Sequence, residues 1–176
     1  MKITGSYTFH GPKDKVWPLI YDPAALMELI PGCERLEQVS SNEYRGRMQV
    51  RFPGVTGSYN TYVKILERRA PHSSRFQGEV DGPAGSIKGT ASFQLDDLEN
   101  QQTVITYEGQ AMISGALSKL SPRFVEGIAQ TLLKQGLAAL ETQVQSQAAA
   151  PFPAAEAGPS SFWGRLIERV KRWNRA

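Results

Sequence analysis

Apolar and polar residues alternate along most of the chain between Lys2 and Ile113, a pattern that predicts half-buried β-strands. Short turns rich in glycine and proline separate the last six of these runs, so the strands should form an antiparallel sheet. One face of the sheet should be apolar and the other polar. The seven predicted strands lie at residues 2–10, 34–39, 44–52, 59–65, 76–80, 87–95 and 105–113.

Two short segments between the first and second strands have helical spacing instead. The first covers residues 13–21. Asp22 and Pro23 then provide an N-cap followed by proline, which predicts the start of a second helix, and Pro31-Gly32 predicts its end. The chain therefore begins with one strand and two short helices before the run of six strands.

A single long amphipathic helix is predicted from Ser121 to Gln147. Ser121 can cap its first turn, and Pro122 suits the first helical position because its missing N–H costs nothing there. Gly136 falls on the apolar face, so the helix either packs on the sheet or closes a cavity in which small residues leave room for a ligand. The face consists of Val125, Ile128, Ala129, Leu132, Leu133, Leu137, Leu140 and Val144.

Glycine recurs on the apolar face of the predicted strands, where it is unfavourable unless the strand bends or another group approaches closely. These glycines would let the sheet curve around the long helix. They would also leave that face short of side-chain volume, which a ligand could fill. The two interpretations are compatible. The five positions are Gly5, Gly46, Gly78, Gly89 and Gly109.

The composition changes after residue 147, which predicts one domain at residues 1–147 followed by two appendages. Residues 148–160 are rich in proline and alanine and should form a flexible linker. Residues 161–176 have the pattern of a basic amphipathic helix at an anionic membrane surface. A helix docked on a partner or on the domain, or a disordered tail, are the alternatives. The predicted membrane-binding residues are Phe162, Trp163, Arg165, Leu166, Ile167, Arg169, Val170, Lys171, Arg172 and Trp173.

The net charge of +3 comes from the C-terminal segment, because residues 1–150 carry equal numbers of cationic and acidic side chains. A nucleic-acid-binding domain would be expected to carry its own basic surface, so nucleic acid is not an expected partner. Cys33 is the one cysteine, which fits a reducing compartment. The N-terminus has no secretory signal pattern, and no apolar run is long enough to span a bilayer.

No spacing of His, Cys, Asp or Glu resembles a metal site, and no nucleophile elbow, phosphate-binding loop or dinucleotide motif is present. The sequence therefore predicts neither catalytic residues nor a metal. Four tyrosines, Tyr7, Tyr44, Tyr59 and Tyr107, are the main polar groups expected to point inward, most simply as core aromatics. An enzyme would need an ionisable group inside the cavity, and the inward positions are almost all apolar.

Three segments resemble the carbon monoxide dehydrogenase CoxG family of the SRPBCC, or START-like, superfamily. They are DPAALMELIPGCERLE (22–37), VDGPAGSIKGTASFQL (80–95) and ITYEGQAMISGALSKLSPRFVEGIAQTLLKQ (105–135). The resemblance covers residues 1 to about 147. It implies an α+β helix-grip fold of the Bet v 1-like type, in which a curved antiparallel sheet of about seven strands wraps on a long C-terminal helix.

The resemblance also implies an accessory protein rather than an enzyme, associated with a molybdenum hydroxylase of the carbon monoxide dehydrogenase type and with its recruitment to the membrane. Combined with the predicted cavity and tail, it suggests a non-covalently bound isoprenoid quinone. The expected location is the cytoplasmic face of the cell membrane, and the alternative is a membrane-recruitment adaptor without a ligand. The candidate cavity walls are Trp17, Ile20, Leu26, Leu29, Met48, Val50, Val63, Phe76, Ile87, Phe93, Ile105, Tyr107, Ile128, Leu132 and Gly136.

Overall fold

The computed structural model describes residues 1–149 of the 176-residue chain. The strands are β1 (Lys2–Phe9), β2 (Cys33–Ser40), β3 (Glu43–Val50), β4 (Gly57–Arg69), β5 (Ser73–Gly82), β6 (Gly85–Leu98) and β7 (Gln102–Ile113). The helices are α1 (Lys13–Tyr21), α2 (Pro23–Leu29) and α3 (Pro122–Ala149), with short 3-10 turns at Glu99–Gln101 and Gly115–Lys119.

All seven strands belong to one antiparallel sheet with the order β1-β7-β6-β5-β4-β3-β2. The first strand therefore pairs with the last, and β2 forms the opposite edge. This confirms the predicted fold class: an antiparallel sheet, two short helices after the first strand and a long C-terminal helix. The helix α3 continues through Ala149, slightly beyond its predicted end. Residues 150–176, which hold most of the predicted linker and the predicted membrane helix, lie outside the described residues.

The two predicted helix caps are present and explain where α2 and α3 begin. The side chain of Asp22 accepts a hydrogen bond from the Ala24 amide (3.0 Å), and the Ser121 hydroxyl accepts one from the Phe124 amide (3.2 Å). Each cap satisfies an amide that has no partner inside the first turn of its helix. Both caps come immediately before a proline, at the helix position that proline tolerates best.

The hydrophobic core lies between the inner face of the sheet, α1, α2 and the C-terminal half of α3. In that half, Leu137, Leu140 and Val144 are buried. In the N-terminal half, Phe124 is 40% exposed, and Ile128 and Leu132 are only half-buried. The helix is therefore packed most tightly at its C-terminal end. The buried core cluster comprises Phe9, Val16, Trp17, Leu19, Ala25, Leu29, Phe93, Leu95, Ile105, Leu137, Leu140 and Val144.

The strand glycines lie on the inner face, and they serve different purposes there. At Gly5, the Tyr107 hydroxyl occupies the place that a Cβ atom would need, so the glycine permits that ring to pack across the strand. At Gly78, a Cβ atom would meet nothing within 4 Å. Gly78 therefore leaves open space, while Gly5 allows a close approach, and both proposed explanations of the glycines apply, each at different positions.

A buried carboxylate fixes the C-terminal half of α3 to the end of β1. Glu141 is 9% exposed and accepts hydrogen bonds from the His10 amide (3.1 Å) and from the Gln145 side chain, and its Oε1 lies 2.8 Å from His10 Nδ1. Next to this contact, Val144 packs against Gly11, where a side chain would collide with it. These contacts hold the end of α3 that the core already buries.

We expect Glu141→Ala to lower the free energy of unfolding by about 2 kcal/mol, because the His10 amide loses its acceptor in a partly buried setting. Glu141→Gln keeps one acceptor oxygen and should lose about half as much. Urea unfolding followed by circular dichroism measures both. Glu126→Ala, at a half-buried position on the same helix, is the control. Equal losses for Glu141→Ala and the control would contradict the role of this contact.

Candidate hydrophobic ligand site

An apolar recess opens between α2, α3 and the inner face of the sheet, and we call it the main recess. Its volume is about 400 Å³, within the range of small-molecule sites. Every side chain that lines it is apolar, so it offers a ligand almost no hydrogen-bonding partner. The lining residues are Ile20, Leu26, Leu29, Ile30, Pro31, Met48, Ile105, Leu132, Leu133, Gly136, Leu137 and Leu140.

Gly136 is central to the main recess because α2 and α3 approach each other there. A Cβ atom at Gly136 would lie 3.5 Å from the carbonyl oxygen of Leu29, in ordinary van der Waals contact. An alanine would therefore fit, but a longer side chain would have to extend into the recess. The helix accepts the cost of a glycine at this position, about 1 kcal/mol relative to alanine, and the recess keeps the corresponding space.

A second, smaller recess lies on the inner face of the sheet, and we call it the sheet recess. Its volume is about 210 Å³, and its lining is also apolar. Its floor is formed where small residues of β5, β6 and β7 are paired: Gly78 opposite Gly89, and Gly89 opposite Ala111. The lining residues are Met1, Ile3, Phe76, Gly78, Val80, Ile87, Gly89, Thr90, Ala91, Gly109, Gln110 and Ala111.

A more polar groove adjoins the main recess, and we call it the rim groove. It has a volume of about 490 Å³ and shares Pro31 and Leu132 with the main recess, so the two are continuous. Polar atoms thus come within reach of a ligand only at this side. Burial raises the pKa of the Cys33 thiol, which keeps that side chain protonated and weakly reactive. The groove is lined by Pro31, Gly32, Cys33, Glu34, Gln49, Val50, Arg51, Phe52, Leu132 and Gln135.

The structure distributes the predicted cavity walls among these features. Two predicted residues, Phe76 and Ile87, line the sheet recess, and Val50 lines the rim groove. Val63 and Ile128 are half-buried and belong to none of the three linings. That the lining residues contact a ligand stays a prediction. The predicted residues that line the main recess are Ile20, Leu26, Leu29, Met48, Ile105, Leu132 and Gly136.

Three predicted wall residues pack mainly against protein. The rings of Trp17 and Phe93 lie 5.9 Å apart in the core, and the Tyr107 ring lies across Gly5. Conversely, five residues of the main recess were not predicted from the sequence to line a cavity. Three of the five occur in the apolar stripe of α3, so their helical spacing was the available signal. The five are Ile30, Pro31, Leu133, Leu137 and Leu140.

The inner phenols mostly have partners within the protein. The Tyr44 hydroxyl donates to the Tyr21 carbonyl oxygen (2.9 Å), and the Tyr59 hydroxyl donates to the Val55 carbonyl oxygen (2.9 Å). Burial raises the pKa of Tyr21, and burial together with the Glu141 carboxylate raises the pKa of Tyr7, so both stay neutral phenols. Tyr44 and Tyr59 thus act as core aromatics with bonded hydroxyls.

Metal-binding clusters and membrane-spanning helices are both missing from residues 1–149. No group of three or more His, Cys, Asp or Glu side chains in this part of the chain is placed to hold a metal ion. Among the helices of the same residues, none has both the length and the apolar character required to cross a membrane.

A family model that describes the CoxG component of carbon monoxide dehydrogenase matches residues 5–145. No curated protein matches the chain. Among solved structures, a conserved protein from Geobacillus kaustophilus is 21% identical with a TM-score of 0.81, covering 84% of this chain and 97% of that one. A Chromobacterium violaceum protein is 13% identical, with a TM-score of 0.66 and coverage of 82% and 96%. A START superfamily protein from Mycobacterium smegmatis is 10% identical, with a TM-score of 0.66 and coverage of 83% and 98%. At these identities the structures support the fold alone.

Proposed function

The chain belongs to the carbon monoxide dehydrogenase CoxG family, and from this membership we propose that it is an accessory protein of a molybdenum hydroxylase of the carbon monoxide dehydrogenase type. In this proposal it binds a hydrophobic ligand in the main recess and links the enzyme to the membrane. A binding role suits the site better than catalysis, because the side chains that line the main recess carry no ionisable group.

The observation that carries the ligand proposal is the apolar wall of the main recess. A recess of about 400 Å³ lined by leucine, isoleucine and methionine favours a ligand that brings apolar surface and few hydrogen-bonding groups. The rim groove supplies polar groups at one side only. A respiratory quinone combines an isoprenoid chain with a head group that accepts hydrogen bonds. We propose that its chain lies in the main recess and that its head group faces the rim groove.

The link to the membrane rests on the C-terminal sequence. Residues 161–176 carry five Lys or Arg side chains and one Glu, together with Trp163 and Trp173. Cations and tryptophans in this pattern are typical of helices on anionic bilayers. We propose that this segment holds the protein on the inner face of the cell membrane, with the proline- and alanine-rich stretch as its connection to the domain.

Native mass spectrometry combined with lipid extraction tests the ligand proposal. The full chain, purified from a quinone-making host, should carry an isoprenoid quinone that is released on denaturation. If the protein is empty and added quinone does not bind, the quinone-carrying function is wrong. An empty protein that still floats with anionic vesicles would instead support a recruitment adaptor without a ligand.

A further inference from the structure

Three turns meet at one end of the domain, beyond the N-terminus of α3. The Leu117 amide donates to the Ala84 carbonyl oxygen (2.7 Å), which ties the 3-10 turn to the β5–β6 turn. The Pro83 ring lies against Gly57, which ties the β5–β6 turn to the loop before β4. We call the surface formed by residues 51–57, 82–86 and 114–124 the open end.

The open end carries three cations and no acid. Arg51, Lys119 and Arg123 are all exposed, and the three segments that form this surface contain no Asp or Glu. None of the three cations forms an ion pair with another side chain in residues 1–149. Residues 1–150 as a whole are balanced in charge, so this local excess of positive charge marks a surface for an anionic partner.

An exposed aromatic side chain lies among these cations. Phe124 is 40% exposed and precedes Ile128 and Leu132 by one and two helical turns, on the same face of α3. The apolar stripe that lines the main recess therefore continues to the surface at the open end. Exposed aromatic rings flanked by cations occur where proteins contact the interfacial region of a bilayer.

The opening of the site faces the same end. Arg51 and Phe52 belong both to the open end and to the lining of the rim groove. The rim groove in turn shares Pro31 and Leu132 with the main recess. A ligand leaving the main recess through the rim groove would thus emerge beside the exposed cations.

We propose that the open end binds an anionic bilayer surface directly, with Phe124 inserted among the lipid headgroups and the three cations over anionic lipids. The rim groove then faces the bilayer, and a hydrophobic ligand passes between lipid and the main recess without crossing water. This exchange rests on the proposed function, whereas the membrane contact itself does not. It is a contact of the domain, separate from that of residues 161–176.

Flotation of the full chain with vesicles of phosphatidylcholine and phosphatidylglycerol in equal parts tests the contact. Each Lys or Arg near such a surface contributes about a fivefold factor, so K119E/R123E should weaken binding about 25-fold or more. The control K2E/R75E changes the net charge equally, but on the outer face of the sheet at two exposed positions. It should weaken binding much less. Equal losses in the two variants would overturn the proposal.

A second measurement locates the contact without altering the cations. With Cys33→Ser in the background, an environment-sensitive fluorophore is attached at Phe124→Cys or, as the control, at Arg75→Cys. The emission at position 124 should shift to the blue with anionic vesicles, and the emission at position 75 should not. No shift at 124, while the chain still floats through its tail, would overturn the contact and leave the proposed function intact. If K119E/R123E binds vesicles like its control but binds the hydroxylase less tightly, the open end is a protein interface and the proposal is wrong.

Discussion

Replacing Gly136 with leucine should reduce binding of the hydrophobic ligand at least about tenfold while the protein remains folded. The new isobutyl group cannot turn toward α2, because the Leu29 carbonyl oxygen is already in contact distance of the Cβ position. It must extend into the main recess, where Leu132, Leu133 and Leu140 leave space for it. Overfilling a packed site commonly costs about 1–3 kcal/mol, and about 1.4 kcal/mol is a tenfold change in affinity.

The same helix offers a matched control at Gly127. A Cβ atom there would meet nothing within 4 Å, and the position is exposed. Gly127→Leu therefore makes the same chemical change in α3 without affecting the recess, and it should raise stability by up to about 1 kcal/mol through helix propensity. Quinone titration monitored by tryptophan fluorescence compares the two variants, and thermal unfolding checks their folding. If Gly136→Leu binds quinone like Gly127→Leu, the ligand does not occupy the main recess.

The sequence pattern predicted the elements well because each depends on local chemistry. Alternation at period two identifies strands whichever neighbours they later find, and a cap followed by proline marks a helix start directly. Asp22 and Ser121 cap α2 and α3 as predicted. Pairing of β1 with β7 joins the two ends of the sheet, and periodicity alone gives no information about such a contact.

The shape of the site was less predictable, because it depends on where side chains meet in space. Trp17 and Phe93 have the inward orientation expected of cavity walls, yet their rings pack in the core. Gly5 and Gly78 look equivalent in sequence, but Tyr107 covers the first and nothing covers the second. The sequence shows that a position faces inward, whereas only the structure shows whether a neighbour fills the space beside it.

The rim groove illustrates the same limit for polar residues. Its members come from the turn after α2, the end of β3 and the middle of α3, which are far apart in sequence. None of Gln49, Arg51 and Gln135 has an unusual local pattern. Their significance comes from lying beside an apolar recess, where any polar end of a ligand would need a partner.

Deleting residues 161–176 should weaken binding to anionic vesicles about 1,000-fold, the largest effect expected in this protein. The deletion removes a net charge of +4, and each cation near an anionic surface contributes about 1 kcal/mol, so the loss is about 4 kcal/mol. Raising the salt concentration should reduce the difference between the full and shortened chains, because salt screens exposed charges. Vesicle flotation over a range of salt concentrations measures both effects.

A scrambled version of residues 161–176 separates charge from amphipathic order. It keeps the five cations and both tryptophans but distributes them around the predicted helix, so that no apolar stripe from Phe162 to Trp173 remains. If an interfacial helix anchors the protein, the scrambled chain should bind more weakly than the native chain and more tightly than the shortened one. Binding equal to that of the native chain would mean that charge alone holds the protein, and an unchanged affinity after deletion would assign the membrane contact to the domain.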